Sequence, residues 1–308
     1  MTPRQLSYFV QIAQSRSFTR AAAILHVAQP ALSRQIQQLE DELGVALLKR
    51  SDAGVSLTDA GELLRGKALV LLDQFERVKE EVGSLSALPR GRLRVGLPPS
   101  MFDLVTAPVV QEFQRCFPDV TLEVTEGVSA SLHELALAGR IDFAVVSSTE
   151  SRVGLDREEL LQERMYLIGS PDTPLLRVDG PLRVADLEGI PLVLTQRPNA
   201  IRMILEEALA AVRTEGRVML ESSSTRLALA MVEASAACAV LPYCAVAARI
   251  GSGRLVARAV EALNVTWVLV HPRDRALSAA AQQFRHMMFD FARIHHTEGR
   301  WPGIVSIG

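Results

Sequence analysis

A change of hydrophobic period near residue 88 divides this chain into two parts that must fold differently. Upstream, Leu64, Ala68, Leu71, Phe75, Val78, Val82 and Leu85 recur at alternating steps of four and three residues. That is the seam of a long helix suited to pairing with a second helix. Leu88, Pro89, Arg90 and Gly91 then break the helix and mark a hinge at 89–91. Beyond them, short apolar runs alternate with amphipathic ones, as strands and covering helices do in an α/β domain. An amphipathic helix packed on its own body would show a similar stripe. A seam this narrow, placed between two domains, points to dimerisation.

The residues before the seam read as a DNA reader. Leu6, Phe9, Val10 and Ala13 form the apolar stripe of a first helix, and Ser17 caps a second in which Ala21, Ala22 and Leu25 share one side. In a third, Leu32, Ile36, Leu39 and Leu43 face inward, which turns Gln29, Ser33, Arg34, Gln37 and Gln38 outward. Arginine can pair with guanine O6 and N7, glutamine with adenine N6 and N7, and serine with base or phosphate. The same face would also suit a solvated surface helix. The charges favour DNA: Arg20, Arg34, Lys49 and Arg50 gather around the turn and just past the helix, while Glu40, Asp41 and Glu42 sit at its far end. A helix entering a groove by its N-terminal half keeps those acids clear of phosphate. Val45 to Leu57 alternates about Ser51–Gly54, a hairpin with Lys49 and Arg50 at its base. Thr58 caps the seam helix, with Asp59 and Glu62 in its first turn.

The run AAAILHVAQPALSRQIQQLEDELGVALLKR followed by VSLTDAG resembles the N-terminal signature of LysR-type transcriptional regulators. Two positions depart from that pattern. Ala28 stands where the family commonly has a hydroxyl residue, and Arg50 is followed by Ser51, Asp52 and Ala53 without a second basic residue. The segments LRVGLPPS, AGRIDFAVV and AVLP are similar to the effector-binding part of the same family, which has the fold of type 2 periplasmic binding proteins. The resemblance implies an α+β multidomain protein. Residues 1–57 are a winged helix-turn-helix, 58–88 a dimerising linker helix and 89–91 a hinge. Residues 92–308 are an α/β effector domain, with subdomain I at about 92–162 and 266–308 and subdomain II at about 163–265. It implies crossovers near Glu163 and Val265, DNA contacts at Arg20, Gln29, Pro30, Ser33, Arg34, Gln37, Gln38, Lys49 and Arg50, and a tetramer built as a dimer of dimers. Its partners would be a double-stranded operator with an interrupted inverted repeat, a small-molecule effector and, as a candidate, RNA polymerase.

The pattern after the hinge gives strands at 93–97, 120–124, 141–146, 165–169, 191–195, 218–220, 239–241 and 265–270. Helices fall at 103–117, 132–138, 201–212, 225–234 and 279–294, and the order implies a mainly parallel sheet. Open α/β sheets bind ligands beyond the carboxyl ends of their strands. That places Ser100, Met101, Ser129, Thr195, Arg197 and Arg202 as candidate effector residues, and the resemblance to the family around AGRID adds Ser147, just past the third strand. Ser100 with Asp103 is also a capping box, and a helix start after a strand is an anion site. The two arginines suggest a small organic anion; as residues of a solvated loop they would do nothing of the kind.

Length and composition set the remaining bounds. A chain of 308 residues with 48% hydrophobic residues can bury a core in each of two or three domains. A net charge of -2 argues against a protein that coats nucleic acid, yet leaves room for a local basic face on a neutral body. No signal peptide and no membrane-length apolar run is visible, so the expected location is the cytoplasm. Cys116, Cys238 and Cys244 suit a reducing compartment, and Cys238 and Cys244, which flank an apolar run, read as buried structural thiols rather than a redox switch. No nucleophile elbow accompanies Ser222–Ser224, and His286, His295 and His296 lack partners at metal-ligand spacing, so neither an enzyme, a metal nor a cofactor is expected. The alternative reading is a constitutive repressor or architectural protein with a vestigial sensor. An enzyme with a DNA-binding appendage would need a catalytic constellation in the cleft.

Overall fold

A computed structural model describes residues 1–51, 54–83, 89–147, 152–234 and 237–308, without the side chains of residues 50, 51, 73, 76, 77 and 79–83. It divides into two compact units, Met1–Ala87 and Leu88–Gly308.

In the first unit α1 (Pro3–Ser15) opens with a capping box between Thr2 and Gln5. Helix α2 (Phe18–Ile24) starts at Ser17, whose hydroxyl accepts the Arg20 amide, and α3 (Gln29–Leu43) starts at Ala28 with no side-chain cap. Strands β1 (Leu48–Ser51) and β2 (Gly54–Leu57) form the antiparallel wing, and α4 (Asp59–Gly83) follows. Phe9, Ile12, Phe18, Ala21, Leu32, Ile36, Leu39 and Leu47 make the core.

The acidic end of α3 is structural. Glu40 Oε1 accepts the amides of Leu47 at 2.7 Å and Leu48 at 3.1 Å, so this carboxylate fixes where the wing begins. Glu42 takes the terminal amine of Met1, and Asp41 accepts from Gln37 at 3.0 Å. Thr58 caps α4 as expected, its hydroxyl accepting the Gly61 amide at 2.9 Å and donating to the Ala46 carbonyl at 2.7 Å.

The seam of α4 is divided, which corrects the reading of it as one dimer stripe. Ala68 is 0% exposed within the core of its own unit, and Leu64 and Leu71 pack against that core. Phe75 at 48% and Val78 at 57% exposure are left to face outward. The helix bridges two jobs because its first turns close the winged helix and only later turns emerge from it. The Val82 side chain and all of Leu85 and Leu88 lie outside the described residues.

The second unit begins with β3 (Gly91–Leu97), α5 (Ala107–Cys116), β4 (Val120–Glu126), α6 (Ser129–Leu137) and β5 (Phe143–Ser147). Next come β6 (Leu155–Gly169), β7 (Pro191–Thr195), α7 (Ala200–Ala211), β8 (Arg217–Ser222), α8 (Thr225–Ala234), β9 (Ala239–Pro242) and α9 (Ala247–Gly251). Strand β10 (Val256–Pro272), α10 (Ala279–Thr297) and β11 (Ile304–Ile307) close the chain. The main sheet runs β11-β6-β10-β5-β3-β4, with β9 also on β6. Among the described strands β3 with β4 and β5, and β7 with β8, pair in parallel, and the other pairs are antiparallel; the main sheet is mixed rather than mainly parallel.

The cause is the length of β6 and β10. The strands expected at 165–169 and 265–270 are pieces of two antiparallel strands of 15 and 17 residues. Their ladder runs from Pro272 opposite Leu155 to Val256 opposite Gly169, with a wide interruption between Ala259 and Asn264 and a one-residue shift between Trp267 and Val268. The interruption contains Ala262 at φ 54°, a left-handed value that a side chain disfavours.

The helix expected at 103–117 also differs. Pro99–Met101 is a 3-10 turn and Phe102–Thr106 a π turn, and α5 begins after them. The Ser100–Asp103 capping box does not form; Asp103 lies 3.8 Å from Arg249 instead.

Gly61 is where the two parts of the winged helix touch most closely. A Cβ there would stand 2.1 Å from the Leu47 carbonyl oxygen, whereas one on Gly66 would meet nothing within 4 Å. Gly61→Ala should therefore destabilise the first unit by about 1–3 kcal/mol, the usual cost of overpacking. Gly66→Ala should be neutral or slightly stabilising, since alanine favours the helix. Thermal unfolding followed by circular dichroism checks the pair.

Candidate nucleic-acid interface and effector cleft

The outward face of α3 is laid out as its period requires. Leu32, Ile36 and Leu39 are buried, while Gln29, Pro30, Arg34, Gln37 and Gln38 are exposed and Ser33 is half-buried. Pro30 sits in the first turn, where a missing N–H costs nothing. Arg20 is exposed on α2 and Lys49 on β1, opposite Ser56. Arg50 continues β1 opposite Val55; its side chain lies outside the described residues.

Arg20, Arg34 and Lys49 have no carboxylate within ion-pair distance among the described residues, and Gln38 and Gln37 are occupied by Gln35 and Asp41. In the second unit some arginines are neutralised, Arg92 by Glu123, Arg94 by Asp142, Arg273 by Asp156 and Arg285 by Glu158, while Arg140, Arg213, Arg217 and Arg226 are exposed with no ion pair among the described residues. An unpaired cation keeps its full charge for phosphate; a paired one must first give up its partner.

Sequence reasoning missed Arg16. It ends α1 in the left-handed conformation at φ 53°, and its carbonyl accepts the Val55 amide at 3.1 Å. That bond sets an exposed guanidinium beside the wing. Gly54, at φ 116°, is the wing residue that makes the approach feasible, since a Cβ there would be 3.0 Å from the same carbonyl. No periodic pattern marks Arg16, because a helix terminus places it.

In the second unit the strand ends bring several candidates together. The Gly127 amide donates to the Leu97 carbonyl, so the turn after β3 and the start of α6 lie side by side. Ser129 Oγ accepts the Ser147 amide at 3.0 Å and lies 3.1 Å from Ser147 Oγ. Helix α6 has no side-chain cap at Val128, which leaves its first amides open to another acceptor. Ser100 and Met101 are buried in the 3-10 turn that packs against the Tyr243–Ala245 turn.

Thr195 ends β7 in the other half. The void on its inner side, lined by Val193, Ile201, Arg202 and Leu205, holds about 10 Å³, a single water at most.

The arginines are committed elsewhere. Arg202, 8% exposed, donates to Glu206 at 2.8 Å, to Glu221 at 2.8 Å and to the Thr195 carbonyl at 3.0 Å. Arg197 is exposed and paired with the same Glu206 at 2.7 Å. Burial pushes the Glu206 carboxyl up, but the two arginines outweigh it and hold it below its ordinary value; the Arg202 guanidinium does the same for Glu221. An anionic ligand would have to displace these carboxylates to use either arginine. Cys238 and Cys244 are buried with their thiols pushed up by burial, whereas Cys116 is exposed. Among the described residues no cluster could hold a metal, and no helix is long and apolar enough to cross a membrane.

A winged helix with an open cationic face, a helix that leaves it and a two-lobed α/β domain together define a DNA-binding transcriptional regulator of the sensor type. The chain belongs to the LysR family. Residues 3–62 match the family model "Bacterial regulatory helix-turn-helix protein, lysR family" and residues 86–293 match "LysR substrate binding domain". It is similar to the HTH-type transcriptional regulator BbuR of Bordetella bronchiseptica, 31% identical over 98% of this chain and 93% of that one. It is also 31% identical to the nitrogen assimilation regulatory protein nac of Escherichia coli, over 99% of this chain and 100% of the relative. In fold it is similar to a full-length variant of OxyR from Pseudomonas aeruginosa, with TM-score 0.70, 24% identity and 99% and 98% of the two chains covered. Full-length CbnR complexed with its target DNA superposes with TM-score 0.65 at 22% identity, covering 96% and 99%.

The Arg202 network gives a signed pH prediction. Both carboxylates titrate lower in the folded chain than their ordinary 4.5, so the unfolded chain binds more protons in acid. Their contribution is complete above about 4.5 and fades as pH falls through the depressed values. Arg202→Met should lower the melting temperature by a few degrees at neutral pH, and the gap to the unaltered protein should narrow in acid. Arg202→Lys should not restore it, since lysine cannot reach both carboxylates and the Thr195 carbonyl as a fork does. Calorimetric melting at a series of pH values tests this.

Proposed function

We propose that this chain grips an operator through the exposed face of α3 and the wing, works as a dimer or dimer of dimers, and is adjusted by a small polar effector. The observation that carries the DNA reading is the placing of three exposed cations without ion pairs among the described residues, Arg20 on α2, Arg34 on the polar face of α3 and Lys49 on the wing. Gln29, Ser33, Arg34, Gln37 and Gln38 are the base readers, with Gln37 and Gln38 exchanging their present partners for base edges. Lys49, Arg50 and Arg16 are the phosphate contacts at the wing. Two such readers, joined through the later turns of α4 about Phe75 and Val78, address half-sites related by a two-fold axis. RNA polymerase is the further partner an operator-bound regulator would touch.

The effector site is the set of strand ends carrying Ser100, Met101, Ser129, Ser147 and Thr195, and its ligand is a small organic anion. The uncapped start of α6 supports an anion held by backbone amides and hydroxyls, with Arg197 and Arg202 shaping the wall through Glu206.

Genomic fragments selected by the full-length protein, followed by footprinting, should reveal an interrupted inverted repeat. Arg34→Ala should abolish the footprint, at a cost of about 1–3 kcal/mol in specific over nonspecific binding, with dimers intact by light scattering. An unchanged footprint would place the recognition helix elsewhere. Lys49→Ala should weaken all sequences alike and reduce the salt slope by about 1. In a thermal-shift panel of small carboxylic acids, a compound that stabilises the protein should lose its effect when Ser100→Trp fills the turn. Stabilisation that survives this change would move the site.

A further inference from the structure

Glu163 is a carboxylate with 0% exposure and no ion pair among the described residues. It lies in β6 opposite Val265 of β10 on one side and Ile304 of β11 on the other, next to the interruption in the long ladder. Oε1 accepts the Trp301 indole N–H at 2.7 Å and the Cys244 amide at 2.8 Å, and Oε2 accepts the Trp267 indole N–H at 2.8 Å. The Cys244 thiol also bonds to it. Burial pushes the carboxyl up and the indole and amide donors pull it back. Indole and amide N–H groups can only donate, so the group they are arranged around is an acceptor at both oxygens.

These donors come from separate parts of the chain. Trp267 belongs to β10, Trp301 to the segment that leads into β11, and Cys244 to the Tyr243–Ala245 turn. That turn packs against the Pro99–Met101 turn, so one layer of contacts separates Glu163 from Ser100 and Met101. The C-terminal segment is held a second time, by the Arg164 amide on the Gly303 carbonyl at 2.8 Å. Gly303 has no room to move inward: a Cβ there would meet Tyr243 Cβ at 3.0 Å and Glu163 Cγ at 3.2 Å.

We propose that Glu163 is the hinge latch of the sensor, a positioning residue that fixes the angle between the two lobes by tying β10, the Tyr243–Ala245 turn and the C-terminal strand to the crossover strand β6. The latch goes beyond the effector reading above and holds whatever the ligand is. With Glu163 in place, the bending that remains falls to the wider of the two register shifts in the ladder, the stretch of β10 around Ala262. A buried acceptor that loses its charge leaves several donors unsatisfied at once, so the segments it ties should loosen together rather than one by one.

The test uses the full-length protein with Cys116→Ser, Leu137→Cys and Val212→Cys; the last two positions are exposed, one on each lobe. Spin labels there, diluted with unlabelled chain, should give a narrow distance distribution. Glu163→Gln keeps the shape but turns an amide N–H toward donors, and should at least double the width of that distribution. Trp301→Phe removes one donor and keeps the carboxylate, and should widen it less. In both variants hydrogen exchange should accelerate at least tenfold in β11 and at residues 244–246 together, with β3 and the winged helix unchanged. Where Glu163→Gln does not fold, Trp301→Phe decides alone. An unchanged distance width in the folded variants, or acceleration in β11 without residues 244–246, would overturn the latch.

Discussion

The long antiparallel pair of β6 and β10 is the constraint on which the second unit depends. Because the two strands stay hydrogen-bonded from Leu155 to Gly169, each lobe is built outward from the same pair, with β5, β3 and β4 added at one end and β9 at the other. The parallel strands β7 and β8 then join β9 through bonds between Cys238 and the Pro191 and Val193 backbone. A two-lobed body made this way cannot separate its lobes without breaking the ladder. The ladder is already irregular at two places, at the four residues between Ala259 and Asn264 and at the one-residue shift between Trp267 and Val268. The ends of the parallel strands, where ligands collect in open α/β sheets, are carried on arms built from this pair.

The first unit solves a different problem, that of making a small domain rigid enough to present a helix. Its core is modest, and close backbone contacts complete it. Glu40 holds the start of the wing, Gly61 lets α4 lie against the Leu47 carbonyl, and the Arg16 carbonyl takes the Val55 amide. Each contact ties the wing to a different helix. The first turns of α4 are part of this arrangement, and so the helix that exposes Phe75 and Val78 is also the one that sets the wing.

Much of this was legible in the sequence where a period or a cap decides the structure. The stripe of α3, the Thr58 cap and the apolar strands β3, β5, β7 and β9 follow from side-chain pattern alone. The first half of β6 did not, because LDREELLQER is rich in helix formers and its strand state is imposed by pairing with β10 and β11. The first half of β10 and all of β11 are hidden for the same reason. The seam misled in its first half because burial against one's own domain and burial against a partner write the same period. Strand order points to Ser129 and the family resemblance to Ser147, and the two hydroxyls do meet. The partners of Arg197 and Arg202 were not visible, since Glu206 lies on the same helix face but Glu221 arrives from β8.

A net charge of -2 says little about such a chain, because the charges are sorted by place. In the sensor, arginines close to carboxylates act as short-range fasteners, and they contribute almost nothing to the field a Debye length away. In the winged helix, Glu40, Asp41 and Glu42 are turned to the wing amides, to Gln37 and to the Met1 amine, which leaves Arg20, Arg34 and Lys49 without a local counter-charge. A polyanion approaching the first unit would therefore meet three cations that carry no ion pair among the described residues, although the whole chain is slightly acidic. Close pairing acts the other way on Arg197 and Arg202, the residues of the sequence most like an anion trap, which Glu206 and Glu221 hold as parts of the wall.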